Sequence, residues 1–275
     1  MKKIAFQGEK GAFSEDAATR HFGTGIIPLP CLTFKEVFRA VASAQCAYGV
    51  IPIENSQTGS IHQNVDLLLE FNLHVVGEIV LKIHHCLLAL RGVRLSQVRT
   101  VHSHPQALEQ CSQYLGKLKN VEIIPSYDTA GSARHVAEAG LRDAAAVASL
   151  RAGTDYGLHV LAKGIENHEL NFTRFLFIAK KSVIPPKGGK TSVVFSTKDI
   201  PGALFKALSV FALRDINLLK IESRPLRRGP FRYWFYLDFE GSIREERCRN
   251  AINHLLEITH FMKVLGSYPK GKTVE

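Results

Sequence analysis

Asn171-Phe172-Thr173-Arg174-Phe175-Leu176-Phe177-Ile178 opens polar and closes as an apolar run. That pattern predicts a short loop feeding a buried β-strand. A strand entrance suits chemistry, because the sheet holds the backbone while the side chains face a cleft. Thr173 supplies a hydroxyl donor, and Arg174 a permanent cation matched to a carboxylate. Taken alone, the stretch reads as an ordinary strand with a polar start. The rest of the chain reverses that reading.

Upstream, strands and helices alternate. Lys3 to Phe6 reads as a short strand, and Glu15 to Phe22 as a helix with Ser14 as its N-cap. Free backbone N–H groups would then face whatever sits before that helix. Gly8-x-x-Gly11 is not a nucleotide fingerprint, since the third glycine and the later acidic residue are out of register. Thr33 caps a helix with Phe34, Val37, Phe38 and Val41 on one face. The strand Tyr48 to Ile53 runs into the polar segment Glu54-Asn55-Ser56-Gln57-Thr58-Gly59-Ser60. Such a strand end is the usual ligand position in open α/β sheets, and an ordinary turn reads the same way. Ser103-His104-Pro105-Gln106 follows another strand, with Pro105 suited to a first helical turn. Ser103 and Gln106 are therefore expected at a helix N-terminus that suits a carboxylate or serves as a plain cap. The alternation predicts an α/β architecture with two lobes, about 1–81 with 166–181 and 82–165, around a cleft.

Ser182 to Lys190 holds two prolines, two glycines and two lysines, and reads as a linker. Beyond it the order becomes βαββαβ. Pro201-Gly202 opens a helix with Leu204, Leu208 and Phe211 at helical spacing. This is the ferredoxin-like plan, complete in about 80 residues.

The 275 residues, 45% of them apolar, can bury a sizeable core. The net charge of +10 would admit nucleic acid, but the basic residues are dispersed. Arg224, Arg227, Arg228 and Arg232, the densest group, are interrupted by Pro225, Gly229 and Pro230. No nucleic-acid partner is expected. No apolar run approaches a membrane span, and five dispersed cysteines make no disulfide framework or zinc site. A cytoplasmic protein with reduced thiols is expected. His84-His85-Cys86 alternate faces on a strand and cannot chelate together, so no metal is expected either.

Assembled, the motifs resemble prephenate dehydratase over nearly the whole chain. The carrying residues are Gly8-x-x-Gly11-x-Phe13-Ser14, Pro52-Ile53-Glu54-Asn55-Ser56-x-x-Gly59-Ser60, Ser103-His104-Pro105-Gln106-Ala107-Leu108, Asp128-Thr129-Ala130 and Thr173-Arg174-Phe175. The C-terminal part is similar to an ACT regulatory domain through Gly202-Ala203-Leu204-Phe205 and Glu222-Ser223-Arg224-Pro225. Leu90-Arg91-Gly92-Val93 through Gln110-Cys111, and the Leu226-Arg227 extension, also resemble plant arogenate dehydratases.

The resemblance implies a periplasmic-binding-protein-like catalytic domain over 1–181, a linker over 182–190 and an ACT domain over 191–270. It implies a carbon–oxygen lyase that converts prephenate to phenylpyruvate without a cofactor, on the way to phenylalanine. Arogenate dehydratase is the alternative, and a non-catalytic amino-acid sensor the alternative of another class. Thr173 is implied as the donor to the departing hydroxyl. Ser14, Asn55, Ser56, Ser103, Gln106 and Phe175 are implied as substrate-binding residues. Arg174 has two readings, a carboxylate anchor or a structural salt bridge, and Glu54 is expected to hold its loop. Phenylalanine is the implied effector, held by Gly202, Ala203, Leu204, Phe205 and Asn217, with Glu222, Ser223, Arg224 and Pro225 nearby. Phe205 departs from the smaller aliphatic residue common there. A homodimer or homotetramer is expected, and a bifunctional enzyme with a chorismate mutase segment is not.

Overall fold

The computed structural model describes residues 1–225 and 233–275. Arg227, Arg228, Arg232 and the Leu226-Arg227 extension lie outside the described residues. The chain divides into two units. Met1–Ile61, Ile79–Phe175 and Thr273–Glu275 form the first, His62–Glu78 and Leu176–Lys272 the second.

Five strands come from the first part of the chain: β1 (Lys2–Gln7), β2 (Ile26–Cys31), β3 (Tyr48–Asn55), β4 (Gly59–Ser60) and β5 (His74–Lys82). Five more follow: β6 (Cys86–Ala89), β7 (Thr100–Ser103), β8 (Glu122–Pro125), β9 (Ala144–Ala148) and β10 (His159–Lys163). Then come β11 (Phe172–Ala179), β12 (Lys190–Thr197), β13 (Leu218–Pro225), β14 (Tyr233–Glu240), β15 (Thr259–Tyr268) and β16 (Thr273–Val274). The first sheet runs β16-β5-β11-β3-β1-β2, with β4 paired to β3; the second runs β10-β6-β9-β7-β8. These are the two lobes that the alternating pattern predicts. The short β16 pairs parallel with β5 and is an element the sequence reading missed.

The helices of the first unit are α1 (Phe13–Phe22), α2 (Phe34–Ala42), α4 (Pro105–Gln110), α5 (Ser112–Leu115), α6 (Thr129–Glu138) and α7 (Leu150–Asp155); α3 (His62–Glu70) belongs to the second. Their starts follow side-chain capping. Thr33 accepts from the Glu36 N–H, Asp128 from Gly131 and Ser149 from Ala152. Ser14 departs from the prediction. Ala12 is the N-cap of α1, and Ser14 is a buried residue of its first turn. Ile4, Ala5 and Phe6 of β1, which is parallel to both neighbours, are buried on both faces, and so are all five residues of β9, which is parallel to β7 and antiparallel to β6.

In the second unit the order β12-α8-β13-β14-α9-β15, with α8 (Ala203–Ala212) and α9 (Glu246–Ile258), builds an antiparallel sheet ordered β13-β14-β12-β15. This is the expected ferredoxin-like domain. The buried face of α8 is Ala207, Val210 and Phe211, whereas Leu204 is partly exposed. Lys190 is not a linker residue. It opens β12, is buried, and meets both carboxylate oxygens of buried Glu78 at 2.9 Å.

Candidate active site

Within the first unit lies a cavity of about 340 Å³. Of the residues singled out from the sequence, Ser14, Asn55, Gln106, Thr173 and Phe175 line it. His85, Gln110, Tyr127 and Asp128 join them. The strand residues among them come from the first sheet, β1, β3 and β11, and the rest from helices α1, α2, α4 and α6 and from loops.

The polar order of the cavity starts at the backbone. The N–H groups of Gln57 and Thr58 donate to Asn55 Oδ1, at 2.9 and 3.1 Å. That fixes the amide, because only its oxygen can accept. Asn55 Nδ2 therefore faces the other way, donating to Thr173 Oγ1 at 3.0 Å and Asn171 Oδ1 at 2.8 Å. Thr173 is an acceptor in this pair, so its own proton is left to donate elsewhere. Asn171 Nδ2 donates to Gln110 Oε1 at 3.1 Å, and Gln110 Nε2 reaches Asn55 Oδ1 at 3.3 Å.

Three predicted residues stand outside the wall. Ser103 is fully buried beneath it and donates to Val147 O at 2.6 Å, tying β7 to β9. Ser56 braces a loop, donating to Leu170 O and accepting from the Phe172 N–H. Arg174 lies between Thr173 and Phe175 on β11, and alternate strand residues point to opposite faces. Glu54 precedes Asn55 on neighbouring β3 in the same sense, and the pair meets at 3.7 Å. Of the two readings of Arg174, this contact fits the structural salt bridge.

The described wall contains no lysine or arginine. Anionic groups must be met there by neutral donors and by the first turn of α1, where Ala12, Phe13 and Ser14 line the cavity. Asp128, the only acid among the wall residues described, caps α6, and burial raises its carboxyl above the usual range. Burial and the nearby Glu9 carboxylate, which accepts the Tyr127 hydroxyl at 2.9 Å, push that phenol up to about 12.

The alternation of His84, His85 and Cys86 speaks only against chelation and does not mark His85 as a site residue. It is 2% exposed, and burial lowers its pKa, so the imidazole is neutral near pH 7. Its Nε2 lies 3.0 Å from Gln110 Oε1. A histidine immediately before the buried strand β6 is the available signal.

The second unit holds a cavity of about 890 Å³. Gly202, Ala203, Leu204 and Phe205 line it, with Trp234, Phe235 and Phe261 among the others. Gly202 caps α8 with φ +74°, a left-handed value that glycine adopts without strain. Asn217, Glu222, Ser223, Arg224 and Pro225, predicted alongside them, are not among the described wall residues. Asn217 donates to Glu240, Glu222 lies 3.4 Å from His62, and Arg224 pairs with Asp66 at 2.5 Å. Ser223 and Pro225 lie on the edge strand β13.

Residues 4–183 match the family model described as prephenate dehydratase, and residues 191–253 the ACT domain. The chain belongs to the prephenate dehydratase family. Members of this family are lyases of aromatic amino acid biosynthesis, and the pairing with an ACT domain is the one its motifs implied. A relative from Arabidopsis thaliana, arogenate dehydratase/prephenate dehydratase 2, chloroplastic, is 49% identical over 99% of this chain and 74% of its own length. The solved prephenate dehydratase of Arthrobacter aurescens, in complex with L-Phe, is 29% identical with a TM-score of 0.88, covering 97% of this chain and 90% of that one. A solved protein described as a novel type of quorum quenching acylase is 33% identical with a TM-score of 0.87, covering 98% of both. The cytoplasmic expectation is corrected by the plant relatives. Several of those relatives are named chloroplastic. Dispersed cysteines and the lack of a long apolar run do not distinguish the two compartments.

Proposed function

We propose that this chain carries out the decarboxylating dehydration of a prephenate-type substrate, giving phenylpyruvate from prephenate or phenylalanine from arogenate. The observation that carries the reading is the donor orientation of Thr173, set by Asn55. The ring carboxylate leaves as carbon dioxide, and its bonding electrons enter the ring. The hydroxyl on the opposite ring carbon departs with its own bonding pair and takes a proton to become water. Aromatisation supplies the driving force, so the protein need only position the groups and stabilise the charge growing on the leaving oxygen. Thr173 supplies a hydrogen bond that strengthens as that oxygen becomes negative. Ser14, Gln106 and the first turn of α1 hold carboxylates through neutral donors, and Phe175 packs beside the ring.

We further propose a catalytic domain over 1–181 with the C-terminal strand β16, and an ACT domain that begins at Lys190. The aromatic-lined cavity beside Gly202–Phe205 is a binding site for phenylalanine as feedback effector. The complex of the Arthrobacter relative with L-Phe supports this. Coupling of about 1–3 kcal/mol between effector and catalytic site is enough for regulation. The family's pairing of these domains also supports a homodimer or homotetramer.

The test is to incubate the protein with prephenate and separately with arogenate, following phenylpyruvate and phenylalanine, with and without added phenylalanine. Turnover of either substrate, suppressed by phenylalanine, is expected. Turnover of neither would overturn the enzymatic reading and leave the sensor.

A further inference from the structure

The hydrogen-bond network that orients Thr173 continues to His85 and settles which ring nitrogen carries the proton. Asn171 Nδ2 donates to Gln110 Oε1, so the Gln110 oxygen is an acceptor. The His85 Nε2, 3.0 Å from the same oxygen, must therefore hold the hydrogen. The Nδ1 of the neutral ring is then a bare lone pair. It is buried and has no hydrogen-bond partner, although His85 forms part of the cavity wall. Phe13, also in the wall, meets the ring edge-on at 5.5 Å between centroids. A buried acceptor without a donor carries a cost of desolvation that a ligand N–H can recover.

We propose that His85 Nδ1 accepts a hydrogen bond from the side-chain ammonium of the substrate and so selects arogenate over prephenate. The inference rests on the dehydratase reading above and names its preferred substrate. The two substrates differ at one position, an ammonium donor in arogenate and a keto oxygen acceptor in prephenate. A keto oxygen would set two lone pairs against each other at Nδ1. Charge favours the same choice, because the described wall has no lysine or arginine to balance a dianion. Arogenate carries one positive charge of its own.

Two variants separate recognition from support. The terminal amide of glutamine falls where Nε2 lies, so His85→Gln keeps a link to Gln110 and deletes the Nδ1 acceptor. The amide of asparagine falls near Nδ1, so His85→Asn keeps an acceptor there and loses the link. Both are assayed with each substrate for kcat and KM. The wild-type protein is expected to have the higher kcat/KM on arogenate. In His85→Gln the ratio of arogenate to prephenate kcat/KM is expected to fall about 10- to 100-fold, the worth of a hydrogen bond to a charged group. In His85→Asn the ratio is expected to stay within about threefold, both activities falling together. A wild-type preference for prephenate would overturn this inference while leaving the dehydratase reading intact. An equal loss on both substrates in His85→Gln would reduce His85 to a positioning residue. Wild-type silence on both substrates would instead overturn the dehydratase reading itself.

Discussion

The amide nitrogen of Asn55 donates to the hydroxyl oxygen of Thr173 over 3.0 Å, across 118 positions of sequence. Because the Asn55 oxygen is held by two backbone N–H groups, the amide cannot turn over to accept instead. The Thr173 hydroxyl is thus met by a donor rather than by a base. Such a hydroxyl keeps its own proton to give as a hydrogen bond, whereas an activated nucleophile would be paired with a base.

Thr173→Ala is expected to lower kcat by about 10²–10³-fold, the usual effect of removing one positioned donor to a developing oxyanion. Thr173→Ser keeps the hydroxyl and is expected to retain most of the activity. Steady-state kinetics on the better substrate decides; an alanine variant with near wild-type kcat would remove Thr173 from the chemistry.

Asn55→Asp is nearly isosteric but places a carboxylate oxygen where the amide donor stood. Thr173 would then donate its proton to that carboxylate rather than to the substrate. The loss in kcat is expected to equal or exceed that of Thr173→Ala, about 10²-fold or more, and melting temperature is expected to fall as well, since the buried carboxylate faces the acceptors Asn171 Oδ1 and Phe172 O. An active aspartate variant would refute the donor relay.

How much of this was legible follows from particular residues. Thr173, Asn55 and Gln106 sit at strand ends and a helix start, where local pattern announces a ligand position. Arg174 and Ser103 carry the same signals, yet one points to the opposite face of β11 and the other bonds to a neighbouring strand. The two-residue alternation along Thr173-Arg174-Phe175 would have separated them. His85 and Gln110 were hidden because their role comes only from a tertiary network. Likewise Lys190 looked like linker because its partner Glu78 lies 112 positions away.

That buried pair offers a stability test within the second unit. Lys190→Met leaves the Glu78 carboxylate buried without its cation and is expected to cost about 3–5 kcal/mol. Adding Glu78→Leu removes the stranded charge and is expected to restore much of that loss. Chemical denaturation of the single and double variants checks it; equal losses that simply add would show that the pair is not coupled.

Stability should also fall on acidification through His85. Burial lowers its pKa from 6.5, so the unfolded chain takes up a proton that the native ring refuses. The unfolded state therefore binds more protons below pH 6.5, and stability declines from there down to the native value. His21 and His102 are lowered by burial in the same direction. His85→Gln is therefore expected to flatten the decline in part. A slope identical to wild type between pH 6.5 and 5 would contradict the neutral, buried assignment.

Gly11 makes the last prediction, about how closely the lobes approach. It has φ +85°, and a Cβ there would lie 2.7 Å from the Ala152 Cα. Its carbonyl accepts from Ser149, and its N–H donates to Glu15, which Arg151 holds at 2.7 Å. Gly11→Ala adds left-handed strain of about 1–2 kcal/mol to an overpacking cost of about 1–3 kcal/mol. Gly23 also has φ +85°, at ψ 175°, with nothing within 4 Å, so Gly23→Ala carries backbone strain of its own but no overpacking. The Gly11 variant is expected to be the less stable by about 2 kcal/mol, and to lose activity because α1 and α7 are forced apart beside the cavity. Equal destabilisation of the two variants by thermal or urea unfolding would show that α7 yields without cost, and that this contact does not hold the cleft.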